Sequence, residues 1–193
     1  MPRKLPTSFY LVLLVILLAG NIGVYRAIFA PPVPAVIVLA VGEKGGATIV
    51  RSPSGEIVLV DAGPDAGILR ALGAALAPWE RTIGTVVLTG TQAGLIGGLP
   101  EVLSRYRVSA LARAGAQGPK SLEAALAAAA SAETGLQQKS IPYGVRLALS
   151  DGTSIDVIAS GVFRISFDTA SLDISSSTPA GVYLSDGVTI RGR

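Results

Sequence analysis

Long apolar stretches separated by short polar turns run through most of the 193 residues. The first stretch, "FYLVLLVILLAG", lies within 21 residues (5–25) that contain no charged side chain. About 20 apolar residues in a helix cross the hydrocarbon core of a bilayer. The pattern therefore predicts one membrane-spanning signal-anchor helix at 8–30, after a short N-terminal segment at 1–7. The proline-rich "PPVP" predicts a stiff spacer at 31–35, before a domain at 36–193.

The first half of this domain alternates strand and helix patterns. "AVIVLAVG" (35–42) predicts a buried strand, and "ATIVRSPSGEIVLVDAG" (47–63) predicts a hairpin that turns at 52–55. Strands are also predicted at 84–90 and 108–114, because both segments are short and apolar. Helices are predicted at 64–79, 97–107 and 121–133. Pro64 and Asp65 stand at cap positions of the first helix, and Ser121 is the expected N-cap of the third.

The second half of the domain has a hairpin pattern. "VRLALSDGTSIDVIAS" and "GVYLSDGVTIRG" each contain an Asp-Gly pair, which favours a tight turn between two strands. The segment between them, "FRISFDTASLDISSSTP", alternates apolar and polar residues and predicts half-buried strands. Strands and helices followed by antiparallel strands predict a mixed sheet with helices outside, in a layered α/β or α+β domain.

The charged residues set the expected orientation. Arg3 and Lys4 precede the apolar run, so the positive-inside rule places the N-terminus in the cytoplasm and the domain outside a single-pass cell-membrane protein. Arg3, Lys4 and Arg26 account for the net charge of +3, and the chain from Pro31 onward has 13 basic and 13 acidic residues. Nucleic acid is therefore a disfavoured partner, since phosphate binding normally needs a basic excess. The alternative for the N-terminal segment is a signal peptide cleaved after Ala30.

The absence of cysteine and histidine limits the possible chemistry. Disulfides, thiolate nucleophiles and imidazole bases are excluded, as are nitrogen and sulfur ligands for zinc. An enzyme built from this chain would depend on carboxylates, hydroxyls, lysine or tyrosine.

Four short motifs carry a resemblance to a known family: "SPSG", "VDAGP", "VVLT" and "IGGLP", in this order. Together they resemble the metallo-β-lactamase-like domain of the ComEC-type DNA-uptake proteins, from about Val36 to Val108. The resemblance implies a metallo-β-lactamase-like sandwich, here incomplete. It also implies that Asp61 orients the ligand loop, and that Asp61, Gly63, Thr89, Gly97 and Gly98 are retained motif residues.

The same resemblance indicates a degenerate metal site. The four ligand positions of the family's loop fall on Gly90, Gln92, Gly94 and Leu95. Glycine and leucine have no side-chain donor, and a neutral amide oxygen binds metal weakly, whereas a catalytic zinc needs about three protein ligands. No metal or other cofactor is therefore expected, and the two glycines at 97 and 98 are interpreted as packing residues.

Several sharper interpretations stay open beside this one. Asp61 is either a catalytic group or an acceptor of backbone N–H bonds. Asp61 with Asp65 is a candidate site for Ca²⁺ or Mg²⁺. Lys44 and Arg51 flank glycine turns that are candidates to hold phosphate, and "SSSTP" is a candidate source of a nucleophilic serine.

The basic and aromatic residues allow one further alternative. Arg105, Arg107 and Arg113 form either a basic stripe for DNA or solvated helix and strand ends. Trp79 either closes a helix end or stacks on a base.

The sequence thus predicts a membrane-anchored pseudoenzyme, metal-free and without catalytic residues. Its domain would act as a scaffold or binding module for an unknown protein partner outside the membrane, in DNA uptake or envelope assembly. The alternative is a metal-dependent hydrolase of phosphodiesterase or nuclease type. Its site would contain only oxygen ligands, from Asp61, Asp65 and Gln92, or be completed by a partner.

Overall fold

The computed structural model describes residues 7–29, 34–41, 45–115, 118–133 and 135–192. The chain divides into two compact units, Met1–Pro31 and Pro32–Arg193. Most of the predicted spacer at 31–35, and residues 42–44 of the glycine turn, lie outside the described residues.

The first unit contains one helix, α1 (Thr7–Phe29), as the apolar pattern predicts. Its side chains are described for residues 8–22, and its large apolar side chains there are exposed, for example Leu14 and Leu17. Among the described residues, no helix combines the length and the hydropathy that a membrane span requires. The length and hydropathy of the described part of α1 therefore do not support the predicted membrane-spanning helix, which stays a prediction.

The second unit contains an eight-stranded mixed sheet and a four-stranded antiparallel sheet. In chain order the strands are β1 (Ala35–Val41), β2 (Gly45–Arg51), β3 (Ile57–Val60), β4 (Thr82–Leu88), β5 (Arg107–Ala114), β6 (Gln137–Ile141), β7 (Arg146–Ala148), β8 (Ser154–Ala159), β9 (Val162–Phe167), β10 (Ala170–Ile174), β11 (Gly181–Ser185) and β12 (Ile190–Gly192). The large sheet has the order β12-β11-β1-β2-β3-β4-β5-β6, and the small sheet has the order β10-β9-β8-β7. Strands β3, β4, β5 and β6 are parallel to one another.

The helices and the small sheet pack on the large sheet through two separate apolar cores. The helices of this unit are α2 (Gly67–Ala75), α3 (Ala93–Ile96), α4 (Leu99–Arg105) and α5 (Lys120–Ala132). Buried residues of α2, α4 and α5 join one core with Ile49, Leu59 and Leu88 of the large sheet. The second core joins Val58 and Val87 of the large sheet to Ile155, Phe163 and Ile165 of the small sheet. Helices outside a mixed sheet, as the sequence predicts, are therefore confirmed.

The Asp-Gly turns lie where the sequence predicts them. Gly152 connects β7 to β8 with φ of 86°, and Gly187 connects β11 to β12 with φ of 88°. Glycine adopts this left-handed region without the steric cost that a Cβ atom brings, so the pair fixes each hairpin.

The predicted helix boundaries need correction. The first helix covers residues 67–75 and not 64–79, because Leu76 is already extended. The segment at 97–107 contains one short helix, α4 (Leu99–Arg105), and ends where a strand begins at Arg107; the other short helix, α3, precedes it at 93–96. Ser121 is not the N-cap of α5, since that position is Pro119, which makes no side-chain cap bond. Asp65 does accept the N–H of Gly67 (2.8 Å), although the N-cap of α2 is Ala66.

Candidate functional site

The candidate site lies where the parallel strands β3 and β4 end. Parallel neighbours end at the same edge of a sheet, so the segment after β3 (61–64) meets the segment after β4 (89–98). The N–H of Ala62 donates to the carbonyl of Leu95 (2.6 Å), and the N–H of Gly98 donates to that of Gly63 (3.0 Å). These bonds join the two segments into one connected surface.

Asp61 and Thr89 form the polar centre of this surface. The Asp61 carboxylate accepts the N–H of Thr89 (2.8 Å) and its hydroxyl (2.6 Å). The Thr89 hydroxyl oxygen in turn accepts the N–H of Gly161 (2.9 Å), which lies in the hairpin between β8 and β9. This chain of bonds ties the small sheet to the large one. Asp61 also has φ of 58°, a left-handed conformation that aspartate tolerates better than most residues.

Burial controls the protonation of Asp61, whose exposed fraction is 4%. Desolvation raises the pKa of its carboxyl to about 7, and the two bonds from Thr89 offset only part of this effect. A carboxyl with this pKa could exchange a proton near neutral pH. Its oxygens are already bonded to Thr89, however, so the geometry assigns Asp61 to orienting the loop, as the family resemblance implies.

The four residues at the predicted ligand-loop positions offer one side-chain oxygen donor among them, that of Gln92. A Cβ atom built at Gly90 would overlap the hydroxyl of Ser160 and lie 3.0 Å from Cδ1 of Leu95. Gln92 is exposed at the N-cap of α3, and Gly94 and Leu95 are partly buried. The donor types and the space at Gly90 therefore do not fit a zinc ion. Among the described residues, no group of three or more Asp or Glu side chains is placed to hold a metal.

The retained glycines lie in close contact with neighbouring segments, and two of them, Gly97 and Gly98, meet backbone carbonyl groups. A Cβ atom at Gly98 would lie 2.5 Å from the carbonyl oxygen of Ala62, and one at Gly97 would lie 2.7 Å from that of Ala93. Gly63 has φ of 69° and lies against Val41. The backbone contacts of Gly97 and Gly98 agree with their interpretation as packing residues, and Gly63 packs against the side chain of Val41.

A cavity of about 480 Å³ opens beside this surface, between the two sheets. Val38, Leu39, Phe163 and Ile174 form apolar parts of its wall, and Asp61, Thr48, Ser175 and Thr178 contribute polar groups. An apolar wall with a few polar groups is typical of small-molecule sites. The serine-rich segment singled out in the sequence therefore lines this cavity.

Ser160 is the functional candidate that sequence reasoning missed. Its hydroxyl is buried with no hydrogen-bond partner among the described residues, and it fills the space beside Gly90. Seventy positions separate the two residues in the chain, and no sequence pattern indicates that the loop after β4 meets the hairpin turn between β8 and β9.

The other sequence candidates are dispersed. Asp65 is exposed and bonded to the N–H of Gly67, so it does not share a cation site with the buried Asp61. Arg51 is bonded to Glu80 at the opposite end of the domain, and Lys44 lies outside the described residues. The stripe proposed for Arg113 is wrong, since Arg113 makes an ion pair with Glu123 near the loop that follows β4.

Comparison with solved structures identifies the fold. PqqB from Methylobacterium extorquens, solved with bound Zn²⁺, matches with a TM-score of 0.53 and 14% identity, over 72% of this chain and 61% of that one. The metallo-β-lactamase fold protein YhfI from Bacillus subtilis matches with a TM-score of 0.48 and 17% identity, over the same shares. No family model matches the sequence, and no curated protein matches it.

The chain therefore has an α/β metallo-β-lactamase-like fold over about 72% of its length. It spans about three fifths of the length of the solved proteins that it matches.

Proposed function

We propose that this domain is a metal-independent, non-catalytic binding or scaffold module, held outside a membrane by α1. The observation that carries the proposal is the contact between Ser160 and Gly90, which fills the position of the first family ligand. A hydroxyl from the small sheet occupies space that a ligand side chain would need. The loop after β4 therefore packs tightly against the small sheet, through the contact of Gly90 with Ser160.

The cavity is the feature that supports binding. Its walls come from both sheets and from the segment that connects β10 to β11. An occupant would therefore contact Asp61 and Gly161, which Thr89 links across the two sheets. The resemblance to the DNA-uptake family supports a place in DNA uptake or envelope assembly, with a protein as the partner. The equal numbers of basic and acidic residues after Pro31 do not favour nucleic acid.

One observation favours the competing function, a hydrolase with an oxygen-only or partner-completed site. Asp61 lines the cavity, and its pKa of about 7 lies in the range that suits a general base. Two results would support this alternative. One is a metal ion bound by the isolated chain, and the other is a hydrolase activity that the Asp61→Asn substitution removes.

Metal addition is expected to leave the stability of the purified full chain unchanged. Zn²⁺, Mn²⁺, Mg²⁺ and Ca²⁺ should produce no shift in a thermal melt, and metal analysis should find no stoichiometric ion. A specific site at about 100 times its Kd would add about 2.7 kcal/mol, which is several degrees.

The controls for this melt are Asp61→Asn and Asp65→Asn. A shift present in the wild type and absent from either variant would place an ion at these carboxylates and overturn metal independence. Phosphodiesterase activity that disappears in Asp61→Asn, while that variant keeps its fold, would establish the hydrolase instead.

Membrane attachment predicts that the chain stays in the membrane fraction after alkaline extraction. Leu14→Arg with Leu17→Arg should release it, because each arginine costs about 2.5–3.5 kcal/mol at the centre of a spanning helix. Ala124→Arg with Ala127→Arg, at exposed positions with the same spacing on α5, is the matched control and should not release it. Release of the wild-type chain would reject the anchor.

A further inference from the structure

The end of the domain opposite the cavity contains the first residue of β1. Ala35 of β1 pairs with Arg51 of β2, which pairs with Ile57 of β3, and Thr82 of β4 pairs with Arg107 of β5. These pairs lie at the same end of the strands of the large sheet, and this end is named the base here. The chain that follows α1 therefore joins the domain at the base.

Trp79 lies at the base in the loop between α2 and β4, with 82% of its surface exposed. It is the only tryptophan of the chain. Outside α1, the next most exposed large apolar side chain among the described residues is Val188 (70%), in the turn after β11. This turn is also at the base, because Leu184 pairs with Ala35. The two most exposed large apolar side chains outside α1 among the described residues, Trp79 and Val188, are therefore both at the base.

Three arginines surround the loop of Trp79. Arg81, Arg105 and Arg107 are all exposed, and the N–H of Arg107 donates to the carbonyl of Arg81 (2.9 Å). The ion pairs found among the described residues include none of the three. Together with Trp79 these residues are named the Trp79 surface.

Two acidic residues near this surface are already engaged, and the carboxylate of the half-buried Glu56 lies beside Gly84 of β4. Glu80 makes an ion pair with Arg51 and accepts the N–H of Ala77 (2.7 Å). Glu133 accepts the N–H of Val108 (3.3 Å). Asp168 and Asp186 also lie at the base, in the turns of β9–β10 and β11–β12, but β11 is four strands away from β4 in the large sheet. The Trp79 surface is therefore locally basic, although the domain as a whole is neutral.

We propose that the Trp79 surface docks on an anionic lipid surface. Tryptophan prefers the membrane–water interface, where its ring is in an apolar layer and its N–H stays hydrated. Exposed arginines beside it would bind headgroup phosphates. The proposal rests on the membrane attachment proposed above, because the chain joins the domain at this same end. Docking by the base would leave the cavity, at the opposite end, open to the solvent and to a partner.

The sole tryptophan provides the probe. The full chain is reconstituted into vesicles of phosphatidylcholine, alone or mixed with phosphatidylglycerol, and its Trp79 emission and vesicle flotation are measured in the same samples. In the anionic vesicles we expect a blue shift and quenching by brominated acyl chains. Replacing Arg81, Arg105 and Arg107 by glutamine should reduce this quenching by roughly twofold or more.

The matched control replaces the same number of exposed cations away from the base, by Arg70→Gln, Lys120→Gln and Lys139→Gln. It should keep the wild-type quenching. Equal loss in both variants would show a nonspecific charge effect and overturn the proposal.

The remaining outcomes separate this inference from the proposed function. A chain that floats with anionic vesicles while Trp79 stays unquenched would overturn docking and leave the anchor in place. A chain that does not float would overturn both. Protection of Trp79 by a single-stranded oligonucleotide, with none by lipid, would assign the surface to nucleic acid instead.

Discussion

Alanine at Gly98 is expected to lower the free energy of unfolding by about 3 kcal/mol, because overpacking against rigid backbone is among the costliest small substitutions. The added methyl group would overlap the carbonyl oxygens of Ala62 and Asp65 and lie 2.7 Å from a methyl carbon of Ile68. Gly98 has φ of −85°, which any residue adopts, so the cost is steric. Denaturant unfolding of the full chain in detergent measures it.

Gly73→Ala is the matched control for this change. Gly73 lies inside α2, and a Cβ atom there would meet nothing within 4 Å. The substitution should raise stability by about 0.5–1 kcal/mol, because glycine in a helix interior loses more entropy on folding. If Gly98→Ala lost less than about 1 kcal/mol, the tight contact between the segments after β3 and β4 would be disproved.

The second large effect is a loss of stability with rising pH that depends on Asp61. Burial raises the pKa of Asp61 to about 7 from an ordinary value of 3.8, so the native state holds this proton more tightly than the unfolded chain. The stabilisation is fully present below about pH 3.8 and disappears as the pH rises through about 7. The slope approaches about 1.4 kcal/mol for each pH unit in that window.

Asp61→Asn isolates this contribution, because asparagine keeps the shape, tolerates positive φ and does not titrate. The stability difference, wild type minus variant, should fall between about pH 5 and 7 in denaturant unfolding and level off above about pH 7. No histidine or cysteine titrates in this pH range and obscures the effect of Asp61, since the chain has neither residue. Parallel curves for the two proteins would show that Asp61 does not hold a proton in the native state.

Local patterns were sufficient for most of the elements. The Asp-Gly turns at 151–152 and 186–187 were predicted correctly because the glycine conformation is set within a few residues. Strands β1 to β5 were predicted from short apolar runs, and their layered arrangement followed from strand and helix order. The helix boundaries were less accurate, as Ser121 and residues 76–79 illustrate, because caps depend on backbone geometry and not on residue type alone.

The candidate site could be predicted only in part. The motif positions Asp61, Thr89, Gly97 and Gly98 do meet, as the resemblance implies. Of the two interpretations of Arg105, Arg107 and Arg113, the basic stripe fails because β5 carries Arg107 and Arg113 at opposite ends of one strand. Arg105 and Arg107 are exposed at a helix end and a strand end, as the other interpretation expects. Proximity in sequence does not produce proximity on a surface when a strand rises about 3.3 Å per residue.

The sequence by itself determined the absence of imidazole and thiolate chemistry, the apolar N-terminal helix and the local turns. All of these depend on residue type or on neighbours in the chain. Only the tertiary structure decided that Ser160 fills the space beside Gly90, that Thr89 links Asp61 to Gly161, and that Arg107 bonds to Arg81 in the loop of the exposed Trp79. These contacts join segments that are distant in sequence, and their geometry is set by how the sheets and helices pack.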